Sequence, residues 1–207
     1  MSRRSDWGPG VPSPRPAADD IDELADSLRW ARQGDESAFA DLYRNLQPRL
    51  FRYALALVGS DAEDVTAEAW LQIARDLRSF VGDGHAFRAW TATIVRHRAL
   101  DLRRAQSRRP VDVVDDACLT QVAGGGDTQA EVEHRLSTES AIALIATLPR
   151  DQAEAVLLRV VMGLDAAAAA QVLGKKAGAV RVAAHRGLRT LTRTVEQRAE
   201  RVGRGHV

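Results

Sequence analysis

The sequence predicts an all-α chain: two small helical domains joined by a flexible acidic linker. Three observations carry this. Apolar residues recur every three or four positions through most of the 207 residues, no β-type alternation of useful length occurs, and one long interior stretch has no periodicity at all.

Residues 1–20 are rich in proline and poor in apolar side chains, and are expected to form a disordered arm. The first domain is expected over 21–105. Leu24, Leu28 and Ala31 fall at helical spacing before Gly34, a stop. Asp35 can cap the next helix, whose apolar stripe is Phe39, Leu42, Leu46, Leu50, Tyr53 and Leu57. Pro48 is expected to kink or divide that helix, because it lacks a backbone N–H and its ring crowds the preceding turn. Ser60-Asp61-Ala62-Glu63 has the form of a capping box, so a helix is expected from about 61, burying Val65, Ala69, Ile73 and Leu77. A further helix is expected over 85–105, after Val81-Gly82-Asp83-Gly84.

The stretch 106–138 carries Gly124-Gly125-Gly126 and scattered acids, and is too long for a loop inside one compact domain. It reads as the linker. The second domain is expected over 139–193: Ala141, Ile142, Leu144, Ile145 and Leu148, a break at Pro149, then Val156, Leu157, Val160 and Val161 to Gly163. Asp165 can cap a short helix ended by Gly174, and a second helix follows over 177–193, leaving 194–207 as a tail.

Charge is segregated along the chain although its net value is only +1. Residues 88–109 hold seven arginines against Asp101, the stretch 110–140 holds seven acids against Arg135, and the chain from 141 onward is basic again. Two basic blocks around an acidic connector suit two polyanion-binding modules.

Other function classes lack their residues. Cys118 is the only cysteine, so neither a disulfide framework nor a cysteine-based zinc site is available. The five histidines show no metal-ligand spacing and no phosphate-binding Gly-x-x-x-x-Gly-Lys-Ser/Thr loop occurs, so no cofactor, metal or catalytic site is expected. With no apolar run near the roughly 18 residues that span a bilayer, and no apolar signal-peptide core at the start, the expected location is cytoplasmic.

The second domain holds Ala170-x3-Gly174-x5-Val180. This is the spacing of a helix-turn-helix: a small residue where the helices touch, a glycine for the turn, and a branched apolar residue pinning the second helix. On that second helix Arg181, His185, Arg189 and Arg193 form a cationic stripe, while Val180, Ala184, Leu188 and Leu191 form the buried one. Lys175 and Lys176 stand at its N-terminal end, so the helix can enter a major groove. The competing reading is an Ala-rich structural pair with surface arginines.

The first basic block, HAFRAWTATIVRHRALDLRR, is amphipathic when placed at about 100° per residue. Phe87, Trp90, Ile94, Val95 and Leu102 gather on one arc, with Arg96, Arg103 and Arg104 opposite. Arginines with nearby aromatics can bind single-stranded DNA, but Phe87 and Trp90 lie on the apolar arc and suit a core better, leaving the loop 80–85 as the candidate for meeting bases. The acids Asp61, Glu63, Asp64 and Glu68 can serve helix-start electrostatics or dock a basic partner.

Together, RQGDESAFADLYRNLQPRLFRYALALVGSDAEDVTAEAWLQIARDLRSF, FRAWTATIVRHRALDLRR and LIATLPRDQAEAVLLRVVMGLDAAAAAQVLGKKAGAVRVAAHRGLRTL resemble, in order, the two lobes of bacterial RNA polymerase sigma factors of the extracytoplasmic-function type, within the sigma-70 family. The resemblance implies a region 2 domain in which Asp61, Glu63, Asp64, Glu68 and Trp70 dock on the β′ clamp of core RNA polymerase. Phe80, Asp83, His85, Arg88, Arg96, Arg103 and Arg104 would capture and melt the −10 promoter element. It implies a region 4 domain reading the −35 element through Lys175, Lys176, Arg181, His185, Arg186 and Arg189. The implied partners are core polymerase through its β′ and β subunits, promoter DNA and an anti-sigma factor, with no catalysis by the chain itself and nucleoid association in the holoenzyme. The chain departs from its relatives in having Asp165 and alanines at the entry to the helix-turn-helix, and Lys175 where an apolar residue is usual. The alternative is a stand-alone helix-turn-helix regulator whose first domain dimerises or senses a signal.

Overall fold

The structure, a computed structural model, describes residues 18–108 and 140–204. The expectations placed on 1–17, including most of the arm, on 109–139, including Cys118, and on 205–207 lie outside the described residues. Among the described residues every regular element is helical, and none is long and apolar enough to cross a membrane.

The first group of helices begins with α1 (Ala18–Ala31), which buries Leu24, Leu28 and Ala31. Gly34 at φ 97° turns the chain, and Asp35 caps α2 (Glu36–Val58) by accepting from the Ala38 N–H at 2.9 Å. α2 buries Leu42, Leu46, Leu50 and Tyr53 completely. Pro48 does not divide it: one helix runs through, with the proline on the exposed face while Leu46 and Leu50 anchor the turns around it in the core. Burial of the neighbouring turns offsets the single ladder bond that Pro48 cannot donate.

α3 (Ala62–Asp76) follows a short 3-10 turn, Gly59–Asp61. Val65, Ala69, Ile73 and Leu77 are buried as a stripe, as expected, but the expected capping box does not form. Ser60 lies inside the 3-10 turn, and Asp61, at φ −81° and ψ 8°, lacks the extended backbone that lets a cap side chain reach back to a free N–H. A second 3-10 turn, Leu77–Ser79, leads to the loop before α4 (Gly84–Arg108), where Asp83 accepts from the Ala86 N–H at 2.7 Å.

The second group starts with α5, helical over 140–146, and α6 (Arg150–Val156) after Pro149. One π-helical turn over Leu157–Val161 closes with the Met162 N–H donating to the Leu157 carbonyl at 3.0 Å. Then come α7 (Ala166–Leu173) and α8 (Ala177–Arg204). α8 continues beyond the expected end at 193, because TVEQRAERVGR is made largely of helix-compatible residues with no proline to stop it.

α6 packs against α8, and Gly187 makes this possible: a Cβ there would stand 2.8 Å from Val156 Cγ2 and 3.2 Å from Leu148 Cδ1. The two groups also touch each other. α4 lies on α7, α2 lies on the π turn, and their buried apolar residues form one continuous cluster.

Candidate nucleic-acid interface

The helix-turn-helix is assembled as its spacing predicts. Asp165, with extended backbone, accepts from the Ala168 N–H at 2.7 Å and so caps α7. Its carboxyl is held below the ordinary range, first by that backbone hydrogen bond and further by His85 nearby. Gly174 adopts the left-handed conformation, φ 64° and ψ 35°. Its N–H donates to the Gln171 carbonyl at 3.3 Å and that of Lys175 to Ala170 at 2.9 Å, the paired bonds that end a helix and reverse the chain. Ala170, Val180 and Ala184 are buried in the elbow.

This leaves one face of α8 outward. Lys176, Arg181, His185, Arg186 and Arg189 are all exposed along it. Lys175 is engaged differently: its Nζ lies 2.7 Å from Asp151 Oδ1 on α6, and this contact lowers the Asp151 carboxyl. The cation in the unusual place after the turn glycine therefore ties the reader helix to its own support.

On α4, Arg103 and Arg104 are exposed, Arg104 pairing with Asp101 at 3.0 Å. Arg96 is half-buried and its Nε donates to Glu154 Oε2 on α6 at 3.0 Å. His85 Nε2 stands 3.6 Å from Asp165 Oδ2. Asp83 is exposed and caps α4. Phe80 is half-buried, its ring 5.2 Å from Phe87 and 5.0 Å from Trp90, so the three aromatics form one cluster at the foot of the loop.

Arg88 is the exception. Its side chain is fully buried, so it offers DNA no surface in this arrangement. α4 packs on α1, α2, α3 and α7, and its buried face is wider than its apolar arc: Arg88 shares it with Thr91, Ala92, Val95 and Ala99.

Of the residues expected at the polymerase, Glu63, Asp64 and Glu68 are exposed on α3, and Glu68 lies 3.5 Å from Arg98. Asp61 is half-buried and accepts from Gln106 Nε2 at 2.9 Å. Trp70 is placed in the core instead of on the docking face: it is 7% exposed, its indole N–H donates to Gln47 Oε1 at 2.6 Å, and its ring packs edge-on against Phe39. It sits on the Thr66–Ala69–Ile73 side of α3, turned away from Asp64 and Glu68.

Two features were not visible in the sequence. Glu154 is buried between Arg96 and Arg150, although an acid four residues after an arginine reads as an ordinary surface pair. Arg29, Arg32 and Arg78, from two separate stretches, line a hollow with Gly82 and Asp83 beside the loop before α4. Only the fold brings these residues together. Among the described residues no group of His, Cys, Asp and Glu is placed to hold a metal ion.

Comparison with known proteins agrees with this geometry. Sigma-70 region 2 matches residues 42–109 and Sigma-70 region 4 matches 138–191. The ECF RNA polymerase sigma factor BldN of Streptomyces coelicolor is 32% identical over 182 residues, covering 86% of this chain and 69% of that protein. The ECF RNA polymerase sigma factor ShbA of Streptomyces griseus is 34% identical over 176 residues, covering 81% and 92%. Among solved structures, CnrH in complex with the cytosolic domain of CnrY aligns over 84% of this chain and 98% of that one, with a TM-score of 0.59 at 21% identity, a likeness of fold. On these two region matches, in order along the chain, and these relatives, the chain belongs to the sigma-70 family of RNA polymerase sigma factors, in its extracytoplasmic-function group.

Proposed function

We propose that the chain binds core RNA polymerase and directs it to promoters, its first helical group melting the −10 element and its second reading the −35 element. The observation that carries this reading is the outward cationic face of α8, built on a properly capped helix-turn-helix, beside a second cationic helix, α4. Lys176, Arg181, His185, Arg186 and Arg189 would meet the −35 duplex, with Lys175 acting through Asp151 to steady the reader. Arg103, Arg104, Asp83 and Phe80, joined by His85 and Arg96, would serve the −10 strand. Glu63, Asp64 and Glu68 would dock on the β′ clamp, with Asp61 at the edge of that patch.

The chemistry asked of these residues is binding alone. Phosphate contacts fix the protein on the duplex, a few side chains read base edges, and aromatic and cationic surface stabilises the melted strand. A sigma factor so built would act on the chromosome in the cytoplasm and be restrained there by an anti-sigma factor. A stand-alone regulator is disfavoured by the region 2 match, since such a protein needs no polymerase-docking domain.

The test is transcription by core polymerase with and without the purified chain. Promoter-selective initiation that depends on the chain is expected, and absence of both binding and selectivity would overturn the proposal. Arg181→Ala is expected to weaken −35-dependent initiation about 5- to 150-fold, the range for one base-reading side chain, while core binding is unchanged.

A further inference from the structure

The outward face of α8 carries two residues that the fold does not ask for. Val182 is 49% exposed, and on the helix it stands opposite the buried line of Val180, Ala184 and Gly187. Arg181 and Arg186, both exposed, lie on either side of it, so an apolar side chain occupies the middle of an otherwise cationic face. Gly178 is one turn earlier on the same side and is exposed. Its backbone is ordinary helix, without the positive φ that would call for glycine, and a Cβ built there would meet nothing within 4 Å.

Both choices weaken the helix locally. Glycine adds backbone entropy to the unfolded chain and valine loses side-chain freedom against the preceding turn, where alanine would do neither. A lone exposed valine is common on any protein surface. Two unfavourable choices one turn apart, at the centre of a reader face and without a packing return, mark a place shaped for a ligand.

We propose that Val182 is a specificity-determining residue that reads a thymine methyl group in the −35 element, and that Gly178 lets α8 sit deep enough in the major groove for the contact to form. The inference rests on the sigma-factor reading for its target. Valine neither donates nor accepts a hydrogen bond, so the polar groups that the bases present in the groove offer it nothing. Among the four bases only thymine presents an apolar substituent there, its C5-methyl. Valine is also short and reaches a base edge only from a helix seated close to the groove floor. A side chain at Gly178 would hold the helix away, whereas its absence admits close approach of the backbone. Arg181 and Arg186 flank the contact and can reach the phosphates along the groove walls, which fixes the depth and register of the helix.

The experiment uses holoenzyme reconstituted from core RNA polymerase and the full chain. Selection from a promoter library with a randomised −35 region is expected to return an A·T pair at a fixed position, and Val182→Ala to relax the preference there. In the selected promoter each −35 thymine, on either strand, is then replaced in turn by deoxyuridine, which keeps the pairing edge and lacks only the methyl. One replacement is expected to weaken initiation by the wild type about fourfold, the factor for one buried methyl-sized group. Val182→Ala should be weakened by a similar factor on thymine DNA and be indifferent to that replacement, the coupling that identifies two groups in contact. Gly178→Ala should keep or raise the thermal midpoint while initiation falls and the sensitivity to deoxyuridine disappears. Wild type indifferent to every replacement, Val182→Ala as sensitive as the wild type, or a selected element without an A·T pair would each overturn the reading of thymine. A lowered midpoint or undiminished initiation in Gly178→Ala would overturn the part given to the glycine. Failure of every form to direct core polymerase to any promoter in the library would instead overturn the sigma-factor reading.

Discussion

The Asp165 carboxylate accepts from the Ala168 N–H at 2.7 Å and also faces His85, so one side chain both starts the helix-turn-helix and touches the neighbouring group. Removing an N-cap acceptor costs about 1 kcal/mol. Asp165→Ala is therefore expected to lower stability by about that amount in denaturant unfolding at neutral pH, and Asp165→Asn by much less. The pH dependence has a definite sign. Because the folded carboxyl lies below its ordinary value, the cap contributes in full above the unfolded pKa of about 3.9 and is lost as acid titrates the folded group. The gap between wild type and Asp165→Ala should close at strongly acidic pH, and a gap that persists there would contradict the assignment. At this scale the sequence was readable where the chemistry was local. Asp35 and Asp165 could be identified as caps because the cap, its acceptor and its target lie within three residues. Glu154 could not, because its second arginine is 58 positions away.

Elements were legible through their periodicity, and the misreadings share a cause in tertiary context. Pro48 was expected to kink or divide α2 on local grounds, and it does not divide it, because burial of Leu46 and Leu50 carries the helix through. Ser60 had the right neighbours for a capping box and the wrong backbone. Arg88 was grouped with the cations of α4, but a helix covered by four others buries more than its apolar arc, and Arg88 lies within the excess. Trp70 shared a helix with the docking acids, but its ring packs inward against Phe39 and its indole N–H is taken by Gln47. Packing between elements gives a further prediction at Gly187, where α6 and α8 approach too closely for a side chain. Gly187→Ala would place a methyl 2.8 Å from Val156 Cγ2 and should destabilise the second group by about 1–3 kcal/mol, seen as a lowered thermal midpoint. A midpoint equal to or above that of the wild type would show that the helices can shift to admit it.

For the whole molecule, the division into two helical groups was legible from the aperiodic stretch and the reversal of charge, while their mutual contact was not. Nothing in either basic block announces that α4 will meet α7 or that the two cores will join. Tyr53 lies at this junction, fully buried on α2, with Glu154, Arg96 and Arg150 all acting on its phenol. Burial first, and then the Glu154 charge, push its ionisation well above that of an ordinary tyrosine. A phenol in the unfolded chain ionises near pH 10, so burial of the neutral ring stabilises the fold below that pH and this contribution is lost as pH rises above it. With two tyrosines in the chain, alkaline absorbance titration should show late phenolate formation by Tyr53 and an earlier step in Glu154→Gln. An unchanged titration would mean that Tyr53 stays enclosed when Glu154 is neutralised. The chain thus carries, without any attached dye, an optical reporter of the charge placed beside Tyr53 where the two cores join.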